Sequence, residues 1–250
     1  TAGINGLQNR ADLIARNTPG VEVKEILLPT GALYGQVDVI PDVTFEAYYQ
    51  YEWKKTELNG VGSYFSDRDF LGPGAANFLI PIGTDSITPV PRTADKSASD
   101  TGQWGAALHW IVLGETDLGL YYVNAHSKAP AQRLNFLQGG LLPESYTIEY
   151  FEDIQGYAAS FTTVLFDTNV QGEVSYKADA PVVLLSGEPV PGDIAAYQLG
   201  GSYVLEPTRL WDDAVIVFEL AGAYVTSEDS ADLVFDDHGT VVNMRLELSY

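Results

Sequence analysis

The feature that most constrains this chain is a two-residue period that recurs along most of its length. From Asp42 to Trp53 the odd positions are Val43, Phe45, Ala47, Tyr49, Tyr51 and Trp53. The even positions are Asp42, Thr44, Glu46, Tyr48, Gln50 and Glu52. Side chains alternate across a strand, so this run has one apolar face and one mostly polar face. Trp104, Ala106, Leu108, Trp110 and Val112 repeat the pattern opposite Gln103 and His109. Val170, Gly172, Val174 and Tyr176 oppose Asn169, Gln171, Glu173, Ser175 and Lys177. Ile216, Phe218, Leu220 and Tyr224 share a face interrupted by Glu219 on its opposite side, and Val242, Met244, Leu246, Leu248 and Tyr250 share another. Further strand-like runs are 21–28, 33–40, 118–126, 146–151, 157–166 and 194–205. Helical signals are weak. Gly3–Ala15 spaces Leu7, Ala11 and Ile14 for a short helix, and Ala129–Leu137 for a turn or two; neither has a capping box. The expected fold is all-β and antiparallel.

Alternation fits a soluble sandwich as well as a membrane barrel. Three features favour a transmembrane β-barrel, or a segment of a larger one. The runs approach the length of a tilted membrane strand. Tyr49, Tyr51, Trp53, Trp104, Trp110, Tyr203 and Tyr224 sit where an aromatic girdle would meet the headgroups. Acidic residues gather in the connections, at Asp67, Asp69, Asp85, Asp95 and Asp100, and again from Glu228 to Asp237. Short turns at Pro41-Asp42, Gly114–Asp117 and Asp167-Thr168 contrast with long Gly- and Pro-rich loops, the asymmetry of periplasmic turns and outer loops. The predicted layout is an N-terminal segment, 1–30, with a short helix and a first strand, then barrel strands over 31–250 with a long loop at 58–101. One count fails. Alternating the runs up and down puts the turns at 114–117 and 167–168 at opposite ends, unless 126–154 hides a further strand or one run does not cross. The first sixteen residues lack the apolar core of a signal peptide, as in a mature product or an excised piece. Tyr250 resembles the terminal aromatic read by barrel-assembly machinery.

Charge and chemistry narrow the function. There are 13 Lys+Arg against 34 Asp+Glu, a formal net charge of -21. That disfavours nucleic acid, whose phosphates need clustered cations. Without Cys there is no thiolate catalysis or Cys-ligated zinc. No Gly-x-Ser-x-Gly, His-Glu-x-x-His or phosphate-binding loop occurs, so no catalytic residue is assigned and an enzyme is not expected. Glu46, Gln50, Glu52, His109, Gln171, Glu173, Lys177, Glu219, Asn243, Arg245 and Glu247 are expected to line a lumen and to pair across strands. His126 reads as a rim residue. No cofactor is expected, apart from calcium as a candidate at the acidic loops holding Asp67, Asp69, Asp236 and Asp237. The expected partners are outer-membrane lipid and lipopolysaccharide, with a small hydrophobic solute as the candidate cargo. A structural or surface-interaction barrel without transport is the alternative; a secreted β-protein that binds carbohydrate or lipid is the third reading.

Two blocks carry a family resemblance. The first, Glu25 to Phe78, holds Leu27-Leu28-Pro29, the run Phe45 to Trp53, and Gly62-Ser63-Tyr64-Phe65-Ser66 with Asp69. The second runs from Glu149 through Gly172-Glu173-Val174-Ser175-Tyr176 to Pro181. Together they resemble a large proteobacterial outer-membrane β-barrel family of unknown function. The resemblance implies a bacterial outer-membrane location and the handling of hydrophobic compounds such as lipids, sterols and esters. Members of that family are considerably longer than this chain. No catalytic residue is established in it, so none is carried over.

Overall fold

The computed structural model describes residues 4–66, 68–82, 86–209, 211–227, 232–234 and 236–249. The chain is all-β and antiparallel. It begins with α1 (Asn5–Gln8), β1 (Arg10–Ala11), a 3-10 turn, α2 (Val23–Ile26) and β2 (Leu27–Leu28). Then come β3 (Ala32–Ile40), β4 (Val43–Gln50), β5 (Asn77–Ile82), β6 (Ser86–Pro91), β7 (Gln103–Val112), β8 (Thr116–Ala125), β9 (Ala131–Phe136) and β10 (Pro143–Glu149). The last five are β11 (Ile154–Leu165), β12 (Thr168–Val183), β13 (Pro189–Leu205), β14 (Asp213–Val225) and β15 (His238–Ser249). Nine of these form one sheet in the order β15-β14-β13-β12-β11-β8-β7-β4-β3. Every neighbour is antiparallel, so β3 and β15, at the two edges, run in the same direction. Among the described residues these edges do not pair, and the sheet is open rather than a closed barrel.

Two hairpins stand outside the sheet, β5–β6 and β9–β10. They correct three sequence expectations. Residues 58–101 are not one long loop, because β5 and β6 pair within them. Pro81, Pro89 and Pro91 hide that hairpin from a sequence reading. Proline cannot donate to a sheet ladder, but a lone two-stranded hairpin has edges where it fits. Ala129–Leu137 is not helical; it is β9, and it is the further strand missing from 126–154. With β9–β10 set aside, the turns at 113–115 and 166–167 fall at the same end of the sheet. Third, 21–28 is not one strand: α2 precedes the two residues of β2. The short helix expected over Gly3–Ala15 narrows to α1.

The hairpins pack together over the long-loop end. Trp53, Val90, Tyr146, Ile148 and Tyr150 form a buried cluster with Phe70, Phe78 and Leu134 around it. Trp53 meets Tyr150 edge-on at 4.8 Å, and its indole N–H donates to the Ser127 carbonyl at 3.1 Å. Arg92 makes a double hydrogen bond to Asp95 at 2.9 and 2.8 Å, and Arg133 joins Glu149 to Glu188. His126 is buried, not at a rim. Its Nε2–H donates to the Thr101 carbonyl at 2.8 Å, and its Nδ1 accepts the Asp153 N–H at 3.0 Å. That pair of bonds selects the neutral tautomer and ties the chain leading into β7 to the chain leading into β11.

At the other end the hairpins are tight. Leu113 and Gly114 both have positive φ, as do Phe166 and Asp167. Paired positive φ values suit the right-handed strand twist of a two-residue hairpin. Phe166 pays most for this, since it carries a bulky side chain at φ 50 and is 95% exposed. Replacing it with Asn, which tolerates this conformation, should stabilise the protein by about 1 kcal/mol. Urea midpoints of the two proteins measure the gain.

Candidate functional site

The register of the nine-stranded sheet sorts its side chains into two faces. One face is apolar from edge to edge. It carries Leu33 and Val37 on β3, Phe45 and Tyr49 on β4, and Trp104, Leu108 and Trp110 on β7. It continues through Leu120 and Tyr122, Tyr157, Val174 and Tyr176, Tyr197 and Leu199, Phe218 and Leu220, to Val242, Met244 and Leu246. Most of these side chains are exposed, up to 76% at Val242 and Met244, while Tyr122, Phe218 and Leu220 are half-buried. Rings cluster toward the long-loop end, where Trp104 meets Tyr122 at 4.9 Å and Tyr122 meets Tyr157 at 5.2 Å. Tyr49 pairs with Trp104, Tyr157 with Tyr176, and Tyr224 extends the row on β14. Trp110 and Tyr203 lie on the same face toward the short-turn end. Trp104 and Trp110 share one strand six residues apart, which is about 20 Å of strand.

Two aromatics depart from the expected girdle. Tyr51 follows the end of β4, although its side chain is exposed. Trp53 is buried in the loop-side cluster. The alternation continues past Gln50 in the sequence, but the strand does not, because the chain turns away to meet the hairpins.

The opposite face is mostly polar. Glu46, Gln50, His109, Gln171, Glu173, Lys177, Glu219, Asn243, Arg245 and Glu247 all lie on it by register. Glu52 does not. It lies past β4, accepts the Gly31 N–H at 3.0 Å and pairs with Lys54 at 2.6 Å, which holds its carboxyl below the usual range. Cross-strand pairing is present in part. His109 Nδ1 is 3.3 Å from Asp117, Gln198 reaches Glu173 at 3.4 Å, and Arg245 contacts Glu247 along its own strand at 2.8 Å.

The N-terminal segment lies on this polar face. Ile4 and Leu7 are buried with Val123, Ala125, Ile154, Ala158 and Ala180. The Ile4 N–H donates to Glu173 Oε1 at 2.9 Å. Gln50 Nε2 donates to the Gln8 carbonyl at 3.1 Å. A Cβ on Gly156 would stand 2.9 Å from Leu7 and 3.1 Å from Ile4, so the segment packs close to β11 there and a larger residue would make those side chains shift. Farther along, Arg10 pairs with Glu57 at 3.0 Å, and β1 pairs with β2.

The acidic loops do not assemble a cation site among the described residues, where no group of three or more His, Asp or Glu converges. Asp67, Asp85, Glu228, Asp229 and the terminal Tyr250 lie outside the described residues. Asp69 closes its own loop by accepting the Gly62 N–H at 3.1 Å, and bonds from Ser66 and Gly62 lower its pKa. Asp237 pairs with His238 at 2.8 Å, leaving Asp236 as the neighbouring carboxylate.

The chain belongs to the DUF1302 family. That family is described as a protein of unknown function, and its model matches residues 1–247, from the N-terminal segment into β15. No curated protein and no solved structure matches the chain.

In this DUF1302 chain Lys128 is a buried charge that no sequence pattern marks. The residue is 4% exposed, and its ammonium donates to Gln103 Oε1 at 2.8 Å and to the His126 carbonyl at 3.0 Å. Among the described residues no carboxylate lies within ion-pair distance of it. Burial lowers its pKa from 10.5 to about 8. Between those two values the unfolded chain holds a proton that the folded chain has lost. Stability therefore rises with pH across that window, by at most roughly 3 kcal/mol. Lys128→Met should flatten the rise, and its stability advantage should be greatest below pH 8. Chemical denaturation at pH 7, 9 and 10.5 reads the difference.

Proposed function

We propose that this sheet is part of the wall of a bacterial outer-membrane β-barrel that serves the passage or handling of small hydrophobic compounds. The observation that carries the reading is the apolar face. Soluble proteins rarely expose a contiguous apolar patch beyond a few hundred Å². Here one runs across nine strands with aromatic rings toward both ends, and among the described residues no second layer of this chain covers it. Hydrocarbon is the solvent such a face matches, and Tyr and Trp favour the headgroup level. Outer-membrane lipid and lipopolysaccharide are its partners in this reading.

The direction of the edge strands supports a segment of a larger barrel. Edges that run the same way cannot close on each other antiparallel. Antiparallel closure needs an odd number of further strands, which agrees with the even strand counts of single-chain bacterial barrels. The connections support an orientation. The three longest, 51–102, 126–153 and 226–237, with both extra hairpins, lie at one end, as outer loops do; the tight turns at 113–115 and 166–167 and the seven-residue connection 206–212 lie at the other. No catalytic role is proposed. A structural barrel without transport is the second reading, favoured by the N-terminal segment lying across the polar face. Solute flux into liposomes separates the two, and absence of flux for every solute supports the structural one.

The wall reading has its own test. Leu246→Arg places a charge on the apolar face and should cost roughly 2–4 kcal/mol near the bilayer midplane. Arg245→Leu, on the other face, should cost far less. Folding titrations in phospholipid vesicles give both values. The reverse ranking would mean that the faces are inverted, and a protein that stays folded and monodisperse without detergent would sink the reading.

A further inference from the structure

The polar face has a gap over Gly200 on β13, where a side chain is missing and polar ones stand around the space. By register Gln171 on β12 and Glu219 on β14 lie beside Gly200, one on each neighbouring strand. Gln198 and Ser202 lie two residues before and after it on β13, and residues two apart share a face. Together they shape a groove of about 510 Å³ whose lining also takes in Glu173 and Val217. A Cβ on Gly200 would find its nearest atoms, Gln171 Nε2 and the Phe218 carbonyl, at 3.5 Å. The space above the glycine is therefore open, not filled by a neighbour.

The groups around the gap are chiefly acceptors. Among the described residues the Glu219 carboxylate takes part in no ion pair. Gln198 Nε2 donates to Glu173 at 3.4 Å, which leaves its Oε1 to accept. Ser202 adds a hydroxyl, and the Gln171 amide leans over the glycine. The nearest cations are turned elsewhere. Arg245, opposite Val217 on β15, pairs with Glu247 at 2.8 Å, and Lys177 stands beyond Glu173 on β12. The Phe161 and Phe218 rings cover Gly172 and Gly201 on the other face, so a sugar ring has no aromatic surface to stack on here. An anion would meet Glu219 with no cation beside it. One carboxylate among neutral acceptors matches a compact positive group with several N–H donors.

We infer that the gap over Gly200 binds the primary ammonium group of a small organic cation. Its three N–H protons go to the Glu219 carboxylate, Gln198 Oε1 and Ser202 Oγ, and its short alkyl tail lies along Val217. The missing side chain supplies the room, Glu219 the charge, and the neutral acceptors the preference for a donor over a bare positive charge. The inference goes beyond the wall reading and does not depend on it, because this is the wet side of the sheet both in a barrel lumen and in open solvent.

The full chain, labelled with nitrogen-15 glycine, is kept in dodecyl maltoside micelles, where a membrane wall and a soluble sheet both stay folded. It is titrated with propylammonium chloride at constant ionic strength, and amide spectra are recorded. Gly200→Ala identifies the Gly200 signal by removing it. The expected result is a saturable shift at Gly200 and Gly201. Tetramethylammonium has the same charge and no N–H, and should bind about tenfold more weakly. Glu219→Gln keeps the shape and removes the charge, so it should weaken propylammonium about tenfold. Glu247→Gln, on the same face but outside the groove, should leave the affinity within about twofold. Gly200→Leu should fill the gap and abolish the response at Gly201. Glu219 is exposed, so its variant decides the matter even if Gly200→Leu does not fold. Equal affinity for the two ammonium ions means attraction to charge alone and overturns the proposal, as does an undiminished response in Glu219→Gln. The same saturable shift with potassium chloride makes this a site for inorganic cations and overturns the organic assignment.

Discussion

Everything in this structure answers to one apolar surface that the described residues of the chain leave uncovered. A globular β-protein buries the apolar face of one sheet against another layer. Here nine strands keep such a face exposed, and the hairpins that could have formed a second layer gather at one end instead. The arrangement makes sense when a solvent other than water meets the face. The polar face then becomes the protected side, and the N-terminal segment has a reason to lie there.

The two faces solve different problems. On the apolar face packing is lateral, between rings and aliphatic side chains of neighbouring strands, as from Trp104 through Tyr122 to Tyr157. On the other face the polar groups must find partners, and they do so locally, as His109 does with Asp117 and Glu173 with the Ile4 amide. Buried polarity concentrates above the strands, where His126, Gln103 and Lys128 link β7 and β8 to the chain entering β11. Lys128 is the costly member, because burial weakens its hold on a proton without a carboxylate to restore it.

The sheet was legible in the sequence because a period of two is a statement about faces, and the register kept those faces intact from Val43 to Leu246. What stayed hidden had physical causes. Glu52 and Trp53 continue the alternation of β4 on paper, yet after the bond from the Tyr51 N–H to the Gly31 carbonyl the chain turns into the loops. The β5–β6 hairpin hid behind prolines that a central strand would reject. β9 looked helical because Ala131, Leu134 and Leu137 recur every three residues, a helical spacing, although in a strand that spacing alternates faces. Lys128 left no mark, since burial depends on the packing of residues far away in the chain. The seat of Ile4 and Leu7 on the polar face was legible only as a weak helix, because the small and apolar residues that receive them lie on strands far along the chain.

The order of strands has a consequence for how the sheet forms. Six of the eight neighbouring pairs in the sheet are consecutive in the chain; the two exceptions are β4 to β7 and β8 to β11. Elsewhere each new strand adds beside the one just made, so loop-closure entropy is small and growth is local. At the two exceptions an entire hairpin must be set aside before pairing resumes. His126 and the Trp53 cluster sit at those junctions, fastening both detours to the same end. The detours therefore act as knots of tertiary order in an otherwise sequential ribbon, and they divide its growth into three runs: β3–β4, β7–β8 and β11 to β15.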